Sequence, residues 1–244
     1  MHKISIFIYG IIAYVVGLIG QVWFILYLGE WEFMPEHISD AQSSSWFLAV
    51  LVNIVLVLVF ALQHSVMARD FFKTWLTKFI PQSAERSTYV LLSGFVLMLV
   101  AYFWQPIDGD LWRVEDETLA FVLTIGSLLG WTFSVIATFV INHFELFGLQ
   151  QVYLNLLEKE APIIEFKERF FYTFVRHPIQ LGVLIGIWVT PLMTFGHLLF
   201  SVLFTIYIII GLHYEEKDLI SELGETYVDY MHRVSKLIPF GKRS

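Results

Sequence analysis

Six apolar runs, near residues 4–28, 46–64, 87–105, 118–141, 178–191 and 196–213, constrain this chain more than any other feature. A helix rises ~1.5 Å per residue, so about 20 apolar residues cross some 30 Å of hydrocarbon. In lipid a spanning segment must satisfy its own backbone polar groups, and runs of this length therefore predict helices. The expected fold class is an all-α, polytopic integral membrane protein with five to six transmembrane helices plus amphipathic interfacial helices. The range arises from the fifth run, which at about 14 residues is short for a bilayer. It is joined to the sixth through Thr190-Pro191-Leu192-Met193-Thr194-Phe195-Gly196, which suits a tilted or re-entrant hairpin. Hydrophobic residues reach 57% and charged ones only 15%, a balance rare in soluble domains. Lys3 followed by apolar residues to Leu28, without a small-residue cleavage site, reads as a retained first span.

Charge orients the spans, because Lys and Arg collect on the cytoplasmic side. The 29–45 connection holds Glu30, Glu32, Glu36 and Asp40 with no Lys or Arg, and the 106–117 connection sets five acids against Arg113. Arg69, Lys73, Lys78 and Arg86 lie between spans two and three, and Lys159, Lys167, Arg169 and Arg176 between four and five. Five more basic residues lie in the tail. Both termini are thus expected in the cytoplasm. Amphipathic stretches at 70–80 and 144–158 suit the interface. The tail from Glu215 to His232 spaces Leu219, Leu223, Tyr227, Tyr230 and Met231 as one surface helix would. With no internal repeat, residues 1–244 read as a single transmembrane domain.

Several function classes drop out. The net charge is −7 and no basic stripe with interleaved aromatics is present, so nucleic acid is not an expected partner. The chain has no cysteine, which excludes disulfides, cysteine nucleophiles and thiolate metal sites. His64, His143, His177 and His213 offer no ligand pair at i, i+4, so no metal is expected. No glycine-rich loop between strand and helix is available for a soluble dinucleotide-binding fold.

The remaining polar groups sort to the predicted cytoplasmic face. Gln63, His64 and Ser65 close span two, and Glu85, Arg86, Ser87, Thr88 and Tyr89 open span three. Asn142, His143 and Glu145 close span four; Arg176 and His177 open span five; His213, Glu215 and Glu216 close span six. Any one group is explained by helix capping or snorkelling, but five clusters on one face point to a polar pocket. Pro178 marks a helix start, where a missing N–H is harmless. The free N–H groups there, with Arg176 and His177, suit an anionic group such as a carboxylate. Gly182 leaves room one turn further in, and Glu215 and Glu216 suit an ammonium or ribose hydroxyls.

At these residues the chain resembles the isoprenylcysteine carboxyl methyltransferase superfamily: Arg176-His177-Pro178 with Gly182, an apolar hairpin, Glu215-Glu216, then Gly224, Tyr227 and Tyr230 to Pro239. The blocks Gln63-His64-Ser65-Val66-Met67-Ala68-Arg69, Glu85 to Leu91 and Asn142 to Gln151 are similar to its bacterial methanethiol S-methyltransferase branch, which is related to nurim. Two positions depart: Gln180 stands where the family usually has Tyr, and Ser235 where Pro often precedes the final Leu-Ile-Pro. The resemblance implies S-adenosyl-L-methionine bound in a cytoplasm-facing region over about 170–239. It implies Tyr172, Val175, Arg176, His177, Pro178, Leu181, Gly182, His213, Glu215 and Glu216 as cofactor contacts.

Methyl transfer to a thiol needs the reactants held in line and the sulfur deprotonated. His64, Arg86 and His143 are the candidates for that catalytic role. The expected partners are a small thiol such as methanethiol, giving dimethyl sulfide, and membrane lipid, with no obligate protein partner. A prenylcysteine or other lipophilic acceptor is the alternative substrate, and a non-catalytic nurim-like protein the alternative class.

Overall fold

The computed structural model describes residues 2–29, 31, 33–40, 45–160 and 168–239. Lys167 of the charge argument, and Glu30 and Glu32, lie outside them. Ten α-helices are described: α1 Lys3–Leu28, α2 Trp46–Met67, α3 Asp70–Leu76, α4 Gln82–Phe103, α5 Glu117–Ile141, α6 His143–Leu146, α7 Leu149–Leu157, α8 Pro178–Trp188, α9 Phe195–Leu223 and α10 Glu225–Arg233. Two short strands, β1 Asp110–Arg113 and β2 Leu192–Thr194, pair with each other.

Five helices, α1, α2, α4, α5 and α9, are long and apolar enough to cross a membrane. The chain is a multi-pass membrane protein. Its outward faces are greasy: Ile8, Ile12, Val55, Leu62, Phe121 and Ile209 are each more than half exposed or close to it, as lipid-facing positions should be. The fifth apolar run forms only the 11 residues of α8. At ~1.5 Å per residue that is about 16 Å, roughly half a bilayer. The last run instead extends through its acidic pair to Leu223, 29 residues in one helix. The expected single surface helix over Glu215–His232 is therefore two pieces, broken at Gly224, whose φ of 57° breaks the helical register. The predicted apolar face survives the break: Leu219, Leu223, Tyr227, Tyr230 and Met231 pack into one cluster with Val234.

The chain divides into two compact units. In the first (1–110, 142–163 and 194–200), α1 and α4 meet through small residues. A Cβ on Gly94 would lie 2.6 Å from the Gly17 Cα, and one on Gly17 2.5 Å from a Val90 methyl. Close backbone approach through glycine is a main source of helix association in lipid, where no hydrophobic effect drives it. Gly94→Leu is expected to force α1 off α4 and cost at least ~1–3 kcal/mol of overpacking. Thermal unfolding in detergent would show this as a large drop in midpoint, and an unchanged midpoint would refute it. Asn53, fully buried in α2, clamps the chain beyond α4. Its amide donates to the Gln105 carbonyl at 2.7 Å and accepts from the Gln105 N–H at 2.8 Å.

In the second unit (111–141, 164–193 and 201–244), α5 and α8 use the same device. A Cβ on Gly182 would sit 2.6 Å from the Gly130 carbonyl oxygen and the Ser134 nitrogen. The Ser127 hydroxyl donates to the Gly186 carbonyl at 2.7 Å. Gly182 was expected to leave space for a ligand; the space is filled by α5, so this glycine serves helix packing.

Candidate active site

Within the first unit, His64 and Arg86 meet around Tyr89. The Arg86 guanidinium carbon lies 4.9 Å from the Tyr89 ring centroid, and its Nε donates to the Leu146 carbonyl at 2.8 Å. The Tyr89 hydroxyl lies 2.7 Å from His64 Nε2, while His64 Nδ1 is 3.2 Å from Ser93 Oγ. Phe60 stacks on the His64 ring at 5.2 Å.

His143 joins from α6. Its Nε2 lies 2.8 Å from the Tyr14 hydroxyl, and Phe147 stacks on it at 4.5 Å. Phe147 packs in turn on the cluster of Met67, Tyr89 and Val90, so the three predicted groups share one aromatic neighbourhood. Burial lowers the pKa of His143 below its usual value, which favours neutral imidazole at neutral pH.

Local chemistry holds α6 and α7 here. Asn142 caps α6 by accepting from the Glu145 N–H, and its amide donates to Glu145 Oε2 at 2.9 Å and Gln150 Oε1 at 2.7 Å. Gly148 turns the chain at φ 83°, where a Cβ would lie 2.7 Å from the Ser87 nitrogen. Only glycine combines that conformation with that contact.

Within the second unit the centre is Glu216, whose side chain is 6% exposed. Its Oε1 accepts from Arg176 Nε at 2.8 Å and lies 3.1 Å from His177 Nε2; its Oε2 lies 2.6 Å from Lys236 Nζ. Arg176 is fully buried, and its Nη1 donates to the carbonyls of Met231 at 3.0 Å and Val234 at 2.5 Å. The segment beyond α10 pairs in parallel with the start of α8: the Arg176 N–H donates to the Ser235 carbonyl and the His177 N–H to that of Lys236. A proline at 235 would offer the same carbonyl, so this departure from the family pattern leaves that bond intact.

The other predicted residues are distributed unevenly. Pro178 opens α8, with His177 as its N-cap, and Val175 and Pro178 are buried. Glu215 is half exposed, with Oε2 3.9 Å from His177 Nδ1 and 3.5 Å from Gln180 Nε2. Tyr172 donates weakly to the Ala137 carbonyl at 3.4 Å, and its own carbonyl accepts from the Tyr230 hydroxyl. Burial raises the pKa of both phenols. Leu181 is partly buried, while His213 is exposed with its ring edge-on to Tyr214. Among the described residues no cluster of three or more His, Asp or Glu could hold a metal. Sequence reasoning missed Tyr14, Ser93 and Lys236. Tyr14 was hidden in a span read as wholly apolar, one of several hydroxyl residues there.

The structure is that of a multi-pass membrane protein, with a buried Arg-His-Glu cluster at a helix start in one unit and a cluster of two imidazoles in the other. Over 240 residues the chain is 45% identical to methanethiol S-methyltransferase 1 of Bradyrhizobium diazoefficiens, covering 98% of this chain and 84% of that one. It is 43% identical over 243 residues to methanethiol S-methyltransferase of Mycobacterium tuberculosis, covering 100% and 99%. It is 31% identical over 189 residues to nurim of Sus scrofa, covering 73% and 71%. No family model matches the chain, and no solved structure matches it. The chain belongs to the methanethiol S-methyltransferase family, and is a methyltransferase that uses a methyl donor.

Proposed function

We propose that this chain transfers a methyl group from S-adenosyl-L-methionine to methanethiol, releasing dimethyl sulfide, as one transmembrane domain. The reaction is placed at the cytoplasmic face of the bacterial inner membrane, with both termini in the cytoplasm. What carries the reading is similarity along nearly the whole chain to relatives named for that activity.

The residues fit the donor. Arg176 Nη2 is buried without a hydrogen-bond partner, and a guanidinium N–H suits a carboxylate. Arg176 and His177 are assigned to the donor's carboxylate, and Glu215, which is 47% exposed, to its ammonium or ribose hydroxyls. Glu216 is assigned to holding Arg176 and His177 in place. Tyr172, Val175, Pro178, Leu181 and His213 belong to the same region. S-adenosylmethionine, when bound, supplies a methyl group on a positively charged sulfur. His64, Arg86 and His143 are assigned to the acceptor, where a base and a positive charge favour the thiolate, the competent nucleophile. A small apolar thiol partitions into lipid and reaches the protein from the membrane.

The test supplies purified protein with methanethiol and S-adenosylmethionine carrying a deuterated methyl group. Headspace mass spectrometry should show singly labelled dimethyl sulfide. Absence of labelled product from folded protein would refute the assignment.

A further inference from the structure

We propose that α3 and the turn after it form a seat for anionic phospholipid, with Phe71, Trp75 and Phe79 sunk among the acyl chains and Lys78 reaching the headgroups. This partner surface does not depend on what the chain methylates.

The helix carries more apolar surface than the protein covers. Tight turns continue its winding as far as Ile80, the Phe79 and Ile80 N–H groups both donating to the Leu76 carbonyl. At about 100° per residue, Phe71, Trp75, Phe79, Phe72, Leu76 and Ile80 follow one another in that order across one half of the helical surface. The protein takes only the last three. Phe72 and Leu76 pack on the cluster of Met67, Tyr89 and Val90, and Ile80 packs on that of Ile6, Ala84 and Val152. Phe71, Trp75 and Phe79 are left 68%, 50% and 71% exposed. The Trp75 ring lies 5.3 Å from that of Phe79 and 5.2 Å from that of Phe72, so the exposed stripe is continuous with the packed one. A contiguous apolar stripe marks a binding surface, where scattered exposed side chains do not.

Position names the partner as lipid. Only Ala68 and Arg69 separate α3 from the end of α2, a helix long and apolar enough to cross a membrane. Leu58 and Leu62 of α2 are 53% and 62% exposed, so its lipid-facing surface runs almost to the start of α3. The helix therefore begins at the boundary between hydrocarbon and headgroups, the layer that Trp favours.

Charge names the headgroup. On the same winding, Lys73 borders the apolar half beside Ile80 and Lys78 borders it beside Phe71. Lysines at such edges lay their stems along the apolar surface and lift their ammonium groups to the phosphates. From residue 69 to 79 the chain sets Arg69, Lys73 and Lys78 against Asp70 alone. The Lys73 ammonium is held 3.3 Å from Asp70 Oδ1, which offsets its charge. Lys78 has no ion pair among the described residues, and its full charge faces the membrane surface.

The chain has no cysteine, so a spin label can be set at one position at a time. The labels go on Phe71→Cys in the stripe and on Thr74→Cys on the polar side, in vesicles of phosphatidylcholine and phosphatidylglycerol. The label at 71 should collide more with oxygen, which dissolves in lipid, than with a water-soluble nickel chelate, and the label at 74 should show the reverse. A label at 71 that the chelate reaches freely would overturn the seat, as would one shielded from both reagents by a second copy of the chain. Headgroup choice is read as the ratio of phosphatidylglycerol to phosphatidylcholine retained in native mass spectrometry. Lys78→Gln should lower that ratio about fivefold, the equivalent of one basic residue at an anionic surface. Lys73→Gln should lower it less, because Asp70 already offsets that charge. An unchanged ratio in Lys78→Gln would overturn the anionic preference.

Discussion

Glu216→Ala is expected to destabilise the second unit by about 3–5 kcal/mol, the usual result of removing one partner from a buried ion pair. The Arg176 side chain has no exposure and the Glu216 side chain 6%, so the guanidinium left behind cannot reach water without opening the fold around it. Its remaining partners are two carbonyls, of Met231 and Val234, which cannot balance its charge. Lys236 is less of a problem: at 35% exposure its ammonium can turn to solvent. Glu216→Gln keeps the volume and an accepting oxygen but loses the charge, and should fall between alanine and wild type. The measurement is thermal unfolding in detergent, with S-adenosylhomocysteine calorimetry on the surviving folded protein. An alanine variant as stable as wild type would mean that the three basic groups do not depend on this carboxylate.

The sequence carried the membrane class and most helix positions, because runs such as 118–141 leave lipid-spanning helix as the only economical solution. It could not carry the division of labour at the acidic pair. Glu215 and Glu216 are adjacent and identical in type, and only three-dimensional packing turns one to the exposed surface and the other onto Arg176, His177 and Lys236. Gly182 was misread for a similar reason: the sequence shows that a side chain is missing, but not that α5 occupies the vacated space. His64, Arg86 and His143 were legible as polar residues at the ends of apolar runs. Tyr14 and Ser93 lie inside such runs, where a single hydroxyl hardly alters the hydropathy, and they emerged only as partners of the imidazoles.

Arg176→Lys preserves the charge of the cluster and should nevertheless fail. The arginine is used as a fork: Nε serves Glu216, Nη1 serves the two carbonyls at the end of α10, and Nη2 remains buried and unpartnered. A lysine presents one compact ammonium and cannot span these acceptors, so the exchange is not conservative at this site. Losing the carbonyl bonds loosens α10 and the paired segment at Ser235, at roughly 1.5–3 kcal/mol for each bond to a charged donor. If Nη2 holds the donor carboxylate, affinity for S-adenosylhomocysteine should also fall about 100-fold, the equivalent of one such bond. The two effects separate experimentally. Glu216→Ala and Arg176→Lys break the same pair, so their stability losses should not add in the double variant. Loss of S-adenosylhomocysteine binding should instead be present in Arg176→Lys at temperatures where that variant is still fully folded. Normal affinity under those conditions would leave Arg176 with a structural role alone, and would shift the donor's carboxylate to His177 and the first turn of α8.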